Sequence, residues 1–160
     1  MERLWSPWRS EYITGSEDDG GCFLCSHLES SNDEANGVLW RGEKTFVVLN
    51  KYPYNSGHVM IAPKRHVGEL EEVDADELHE LIDVTQRCVS IIGKTMNAHG
   101  FNTGMNLGRV AEAGVPGHLH MHAVPRWGGD TNFMPVVAET KVLPELLADT
   151  YAKLRPSFKD

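Results

Sequence analysis

The chain has 160 residues, 41% hydrophobic and 24% charged, enough for one domain with its own core. A formal charge of −8 argues against a general nucleic-acid binder, yet leaves room for a small phosphorylated ligand in a locally positive pocket. No apolar run approaches the ~18 residues of a membrane span. The start, MERLWSPWRS, lacks the apolar core of a secretory signal, and the three cysteines are an odd number, so a cytoplasmic, reducing setting with no membrane partner is expected.

The whole chain, 1–160, reads as a single domain with an N-terminal arm over 1–21 and a helical segment over 140–160. LWSPWR in the arm carries two tryptophans and an arginine and is expected to dock on the domain body or on a partner chain. TGSEDDGG (14–21) and ESSNDEANG (29–37) read as polar loops. Residues 38–41 and 45–50 read as strands joined by a turn, KYPYNSG (51–57) as a loop, and HVMIAP (58–63) as a buried strand ending at Pro63. The clearest helix follows. Asp74 suits the N-cap and Glu77 completes a capping box; Leu78, Leu81, Ile82, Thr85, Val89, Ile92 and Met96 then recur at helical spacing, with Gly100 as the expected C-cap. FNTGMNLG (101–108) reads as a strand, RVAEAGVPG as a loop and HLHMHAVP as a strand. Leu143, Leu146, Leu147, Tyr151 and Leu154 mark a second, shorter helix. Strands, a long helix, strands and a short helix predict an α+β fold with a mainly antiparallel sheet.

The segment HLHMHAVPRW (118–127) holds three of the eight histidines within five positions. On a strand, His118, His120 and His122 share one face, while Leu119 and Met121 point to the other. Core filling does not account for this spacing, because buried imidazoles need hydrogen-bond partners. Two chemistries do. Alternating imidazoles make a metal platform. Alternatively, one ring is a nucleophile toward phosphorus, holding one nitrogen as acceptor while the other is anchored as a donor. The CxxC of Cys22 and Cys25 offers half of a tetrahedral metal site and needs two further ligands. Cys88, on the long helix, reads as a small packed residue.

His118-Leu119-His120-Met121-His122-Ala123-Val124 resembles the histidine triad (HIT) superfamily, whose pattern alternates histidine with apolar residues. NKYPYNSGHVMIAPKRH (50–66) is similar to the second signature of that superfamily. LWSPWR and PRWGGDTNF resemble its bacterial branch of diadenosine tetraphosphate phosphorylases and hydrolases. The resemblance implies a five-stranded antiparallel sheet with one long and one short helix, and a homodimer. It implies an enzyme that cleaves a nucleoside phosphoanhydride, such as a dinucleoside polyphosphate, through a nucleotidyl-histidine. The alternatives within reach are a phosphoramidate hydrolase of the same fold, a non-catalytic nucleotide-binding module, and a hydrolase using all three histidines on one metal ion.

Carried onto this chain, the resemblance implies that His120 is the nucleophile and His122 contacts phosphate oxygen. It implies that Asn50 meets the ribose, His58 lies near the phosphates and Asn106 holds the α-phosphate. Many relatives carry Gln, Ser or Thr shortly before the triad. AGVPGH (113–118) has none, so backbone N–H groups at Gly114 are expected in that role. The same resemblance implies a structural zinc on Cys22, Cys25, His66 and His118, with His27 and His79 as rival fourth ligands.

Overall fold

The structure is a computed structural model and describes residues 21–111, 115, 117–131 and 143–159. The N-terminal arm through residue 20 and Gly114 lie outside the described residues, as does part of PRWGGDTNF.

Five strands form one antiparallel sheet in the order β1-β2-β3-β5-β4. They are β1 (Val38–Arg41), β2 (Thr45–Leu49), β3 (Val59–Pro63), β4 (Gly100–Met105) and β5 (Met121–Arg126). Every residue of β2 and β3 is buried, which is the signature of central strands covered on both faces. The faces separate by alternation. Val47, Leu49, Val59, Ile61 and Ala123 pack with Leu81, Val84, Cys88 and Ile92 of the long helix α3 (Ala75–Met96). On the opposite face Phe46, Val48, Met60 and Ala62 pack under Leu24 of α1 (Phe23–Glu29). Cys88 is a packed core residue, as its place in the helix predicts.

The long helix begins as its sequence predicts. Glu77 Oε2 accepts from the Asp74 N–H at 3.1 Å, satisfying a donor at the open end of the helix. It ends earlier than expected. Asn97, with φ at 51°, is the C-cap, and Gly100 is already the first residue of β4. Asparagine tolerates the left-handed conformation that closes the last turn. The described residues also hold more than one long and one short helix. The polar stretch 29–37 contains a helical turn, α2 (Asp33–Asn36), capped by Asn32 Oδ1 accepting from Ala35 N at 3.1 Å. Its stability is local and polar, so no apolar period announces it. The C-terminal helix α4 (Leu147–Leu154) runs into a 3-10 turn over Arg155–Phe158. Leu154 and Phe158 enter the core beside α3, whereas Leu146 is exposed.

The loop from β2 to β3 is tied to the rest of the domain. Asn55 Nδ2 donates to Pro125 O at 3.1 Å and to Asp130 Oδ2 at 2.9 Å. Gly57 has φ at +79°, and a Cβ there would lie 2.6 Å from Met96 Sδ. The positive φ favours glycine, and the turn it makes delivers His58 to the start of β3.

Candidate active site

Met60 stands opposite His122 in the β3–β5 ladder, so His122 projects onto the α1 face of the sheet. His120 opens onto the same side. Both line a cavity of about 720 Å³ whose walls include Phe23, Asn50, Tyr52 and Tyr151. The expected strand over all three histidines is shorter than predicted, because β5 starts at Met121. Pro63 has no N–H to continue the ladder, and its carbonyl is occupied by the Nε2–H of His118 at 2.8 Å. The segment before β5 is held otherwise: Leu119 N donates to Val67 O at 2.7 Å, and Leu119 packs with Val67 and Val73.

Backbone groups fix the proton positions of the imidazoles. His120 Nδ1–H donates to His118 O at 2.8 Å, which leaves Nε2 with the lone pair. Burial holds this ring below the ordinary histidine pKa, against the opposing effect of the His118 carbonyl. Tyr54 N–H donates to His58 Nδ1 at 3.1 Å, so the proton of neutral His58 is on Nε2. That nitrogen lies 2.9 Å from His122 Nδ1 and donates to it, which places the proton of neutral His122 on Nε2. Tyr54 stacks on His58 with ring centroids 4.7 Å apart. His120 and His122 meet edge to face at 4.8 Å. The site therefore pairs an acceptor nitrogen on His120 with a donor nitrogen on His122. A nucleophile beside a proton donor suits attack on a phosphoryl group.

A second cluster adjoins the first. Ligand atoms of Cys22, Cys25, His66 and His118 all lie within 4.8 Å of one another. Cys22 Sγ is 3.1 Å and Cys25 Sγ 3.6 Å from His118 Nδ1, and Cys25 Sγ is 3.3 Å from His66 Nδ1. A tetrahedral ion with bonds of about 2.0–2.3 Å separates its ligands by roughly 3.3–3.8 Å, so the four residues fit such an ion. The anchoring of His118 Nε2–H on Pro63 O leaves Nδ1 as the ligating nitrogen. Burial and the neighbouring Cys22 push the Cys25 thiol up to about 11, and burial lowers His118. A cation held by these four residues would supply the charge that favours thiolates and neutral imidazoles.

The structure brings Cys22, Cys25, His66 and His118 together and leaves the other two candidate ligands outside this group. His27 is not in the cluster; it lines the cavity, with its pKa lowered by burial and by Arg41 and Lys51. His79 is an exposed residue of α3. Asn50 lines the cavity, with Oδ1 accepting from Tyr52 N at 2.9 Å. His58 is not among the lining residues and instead supports His122 from behind. Asn106, half-buried just after the β4–β5 ladder ends at Met105, is also not among them. Phe23, Tyr52 and Tyr151 are cavity residues that the sequence reading did not assign to the site; the Phe inside the CxxC and the Tyr two residues after Asn50 were the available signal.

An antiparallel sheet presents a backbone-anchored histidine beside a second histidine, the arrangement that the resemblance to the histidine triad implies. The HIT domain family matches residues 32–129, and the chain belongs to that family. It is 40% identical over 159 aligned positions to a Mycobacterium tuberculosis protein named AP-4-A phosphorylase, covering 94% of this chain and 80% of that one. It is 31% identical over 93 positions to the asymmetrical bis(5'-nucleosyl)-tetraphosphatase of Schizosaccharomyces pombe, covering 58% of this chain and 50% of that one. A zinc-bound histidine triad family protein from Mycobacterium smegmatis superposes with a TM-score of 0.69 at 23% identity, covering 86% of this chain and 93% of that one. That likeness establishes the fold.

Proposed function

We propose that the protein cleaves a nucleoside phosphoanhydride, with a dinucleoside polyphosphate such as diadenosine tetraphosphate as substrate, through a nucleotidyl intermediate on His120. One observation carries this reading: His120 Nδ1–H is held by His118 O, so the Nε2 lone pair belongs to the cavity wall that His122 shares. The naming of similar proteins as a phosphorylase and a tetraphosphatase supports the substrate class.

In this reading His120 Nε2 attacks the α-phosphorus. The N–P bond forms and the P–O bond to the leaving nucleotide breaks. The His122 Nε2–H donates to phosphoryl oxygen as charge develops there. Inorganic phosphate then attacks the same phosphorus and breaks the N–P bond, giving a nucleoside diphosphate and freeing His120. Asn50, which lines the cavity, meets the sugar. His58 acts through His122 as a positioning residue. Asn106 and Gly114 stay as candidates for phosphate contact through the loop that precedes the triad.

Zinc on Cys22, Cys25, His66 and His118 would be structural, since four protein ligands leave no open position for chemistry. The reading includes a homodimer, supported by β4 at the sheet edge with Asn102, Thr103 and Gly104 exposed. It also places the protein in the cytoplasm; no helix among the described residues is long and apolar enough to cross a membrane.

The test is product analysis with diadenosine tetraphosphate, with and without inorganic phosphate. ADP plus ATP formed only with phosphate supports phosphorolysis. AMP plus ATP formed in water assigns the second step to hydrolysis. No cleavage under either condition contradicts the reading.

A further inference from the structure

The turn after β5 carries a carboxylate that serves two elements at once. Asp130 Oδ2 accepts from Arg126 Nε at 2.6 Å, from Trp127 N at 3.2 Å and from Asn55 Nδ2 at 2.9 Å, while Oδ1 accepts from Arg126 Nη2 at 2.9 Å. The turn itself is pinned beside the end of α3. Asp130 N donates to Trp127 O at 3.1 Å, Trp127 Nε1 to Asn97 O at 2.9 Å, and Gly128 N to His99 Nδ1 at 3.0 Å. Arg126 is steadied in turn by Asn102 of β4, whose Oδ1 accepts from Nη1 at 2.8 Å. An exposed Arg–Asp pair contributes little by itself. This one differs, because only 8% of the Asp130 side chain is exposed and one of its oxygens is shared with Asn55.

Asn55 leads from there to the histidines. It is buried, and its two amide hydrogens go to Asp130 and to Pro125 O. Its backbone carbonyl accepts from the His58 N–H at 3.1 Å, and the His58 carbonyl accepts from the Asn50 N–H at 3.0 Å. The backbone of His58 is therefore gripped on both sides before its ring reaches His122 Nδ1 at 2.9 Å. Only Ser56 and Gly57 separate Asn55 from His58, so a shift of the Asn55 carbonyl passes directly to His58. Asp130 is not among the residues lining the cavity of His120 and His122; it borders a separate one with Asn55 and Trp127. Any influence it has on the histidines runs through Asn55.

We propose that Asp130 is a positioning residue for the histidine site: by holding the Asn55 amide it fixes the turn from Asn55 to His58, and through His58 it fixes the ring of His122. This rests on the reading that His122 serves phosphoryl chemistry. Losing the carboxylate leaves one buried hydrogen of Asn55 Nδ2 without an acceptor, a cost that the side chain relieves by moving. An amide at position 130 keeps an acceptor oxygen for Asn55 and the Trp127 N–H and gives up the charge. Asp130→Ala and Asp130→Asn therefore separate the hold on Asn55 from the pairing with Arg126.

The experiment compares both variants with wild type, alone and combined with His58→Phe, with thermal unfolding to check that each folds. Kinetics with diadenosine tetraphosphate and inorganic phosphate read the chemistry. Long-range proton–nitrogen NMR near neutral pH reads which ring nitrogens of His58 and His122 carry protons. Asp130→Ala is expected to lower kcat about tenfold with KM little changed, the loss of one hydrogen bond's worth of alignment. It should also give His122 a mixture of tautomers where wild type shows one. Asp130→Asn should recover most of both. Adding Asp130→Ala to His58→Phe should lower kcat no further, since both substitutions break the same relay. Asn55→Ala cuts the relay at its next link and replaces Asp130→Ala if that variant does not fold. A wild-type tautomer at His122 in folded Asp130→Ala overturns the inference, as does a full additional loss in the His58→Phe background. Wild type that cleaves no dinucleoside polyphosphate overturns the proposed function instead, and the NMR comparison then decides the positioning by itself.

Discussion

His120 donates its Nδ1–H to the backbone carbonyl of His118 at 2.8 Å, while the ring of His118 turns its own Nδ1 toward Cys22 at 3.1 Å. The residue that anchors His120 is therefore also a member of the Cys/His cluster. Disturbing the cluster is expected to reach the chemistry through the hydrogen bond from His120 to the His118 carbonyl. Cys25→Ser should lower the zinc content of purified protein and the unfolding temperature together, as structural zinc contributes to folding. It should also lower kcat more than it raises KM, because the nucleophile loses alignment while the cavity keeps its walls. Zinc assay, thermal unfolding and steady-state kinetics on one preparation check this. Unchanged kcat in a zinc-depleted, folded variant would separate the two clusters.

The proposed function has His58 act on the chemistry through His122. Its Nε2–H donates to His122 Nδ1, and Tyr54 stacks on it and orients it. His58→Phe keeps the stacking and removes the donor. The tautomer of His122 is then no longer imposed, and kcat is expected to fall on the order of tenfold for the loss of one hydrogen bond. The binding of AMP should change little, which calorimetry reads directly. Equal losses in binding and turnover would assign His58 to the cavity wall instead.

Gly57 is a backbone requirement rather than a packing convenience. Its φ of +79° strains any other residue, and an added Cβ would also push the Met96 side chain aside. Gly57→Ala is expected to destabilise the fold by about 1–3 kcal/mol, the usual cost of a non-glycine residue forced into such a conformation. It should weaken activity as well, since the next residue is His58. Urea unfolding and kcat/KM measure the two effects.

Glu77 ties the start of the long helix to Arg65, with Oε2 2.7 Å from Nη2, and is itself buried. The Arg65 hydrogen bond, aided by the Asp74 N–H, holds its carboxyl below the ordinary value of 4.5. A depressed folded-state pKa gives stability that is present above the unfolded pKa and is lost as pH falls through the folded one. Glu77→Gln should therefore be less stable than wild type near neutral pH. The gap should close as pH drops from about 4.5 through the lower folded-state value. Unfolding curves across that range check the sign; a gap that widens on acidification would refute it.

The strands and the long helix were legible because their signals are local. β2 and β3 are continuous apolar runs bounded by turn residues, and α3 has apolar spacing with an acidic cap. α2 was hidden because a four-residue helix made by an asparagine cap carries no apolar period. The end of α3 was misread because Asn97 took the left-handed cap position expected of Gly100. In the site, the histidine strand and the CxxC have tight spacing, and the resemblance joined them to His66 across the sheet. The tautomers were not legible, since they depend on Pro63 O, His118 O and Tyr54 N, backbone groups with no identity in sequence. The turn of His27 into the cavity depends likewise on Arg41 gripping three carbonyls of the α1 end.

The most direct test of the account is the mass of the intact protein after brief mixing with diadenosine tetraphosphate in the absence of inorganic phosphate. The account predicts one added adenylyl group, mapped by peptide analysis to His120, discharged on addition of phosphate or by water, and missing from His120→Ala. An adduct on another residue, or unimpaired turnover by folded His120→Ala, would contradict it.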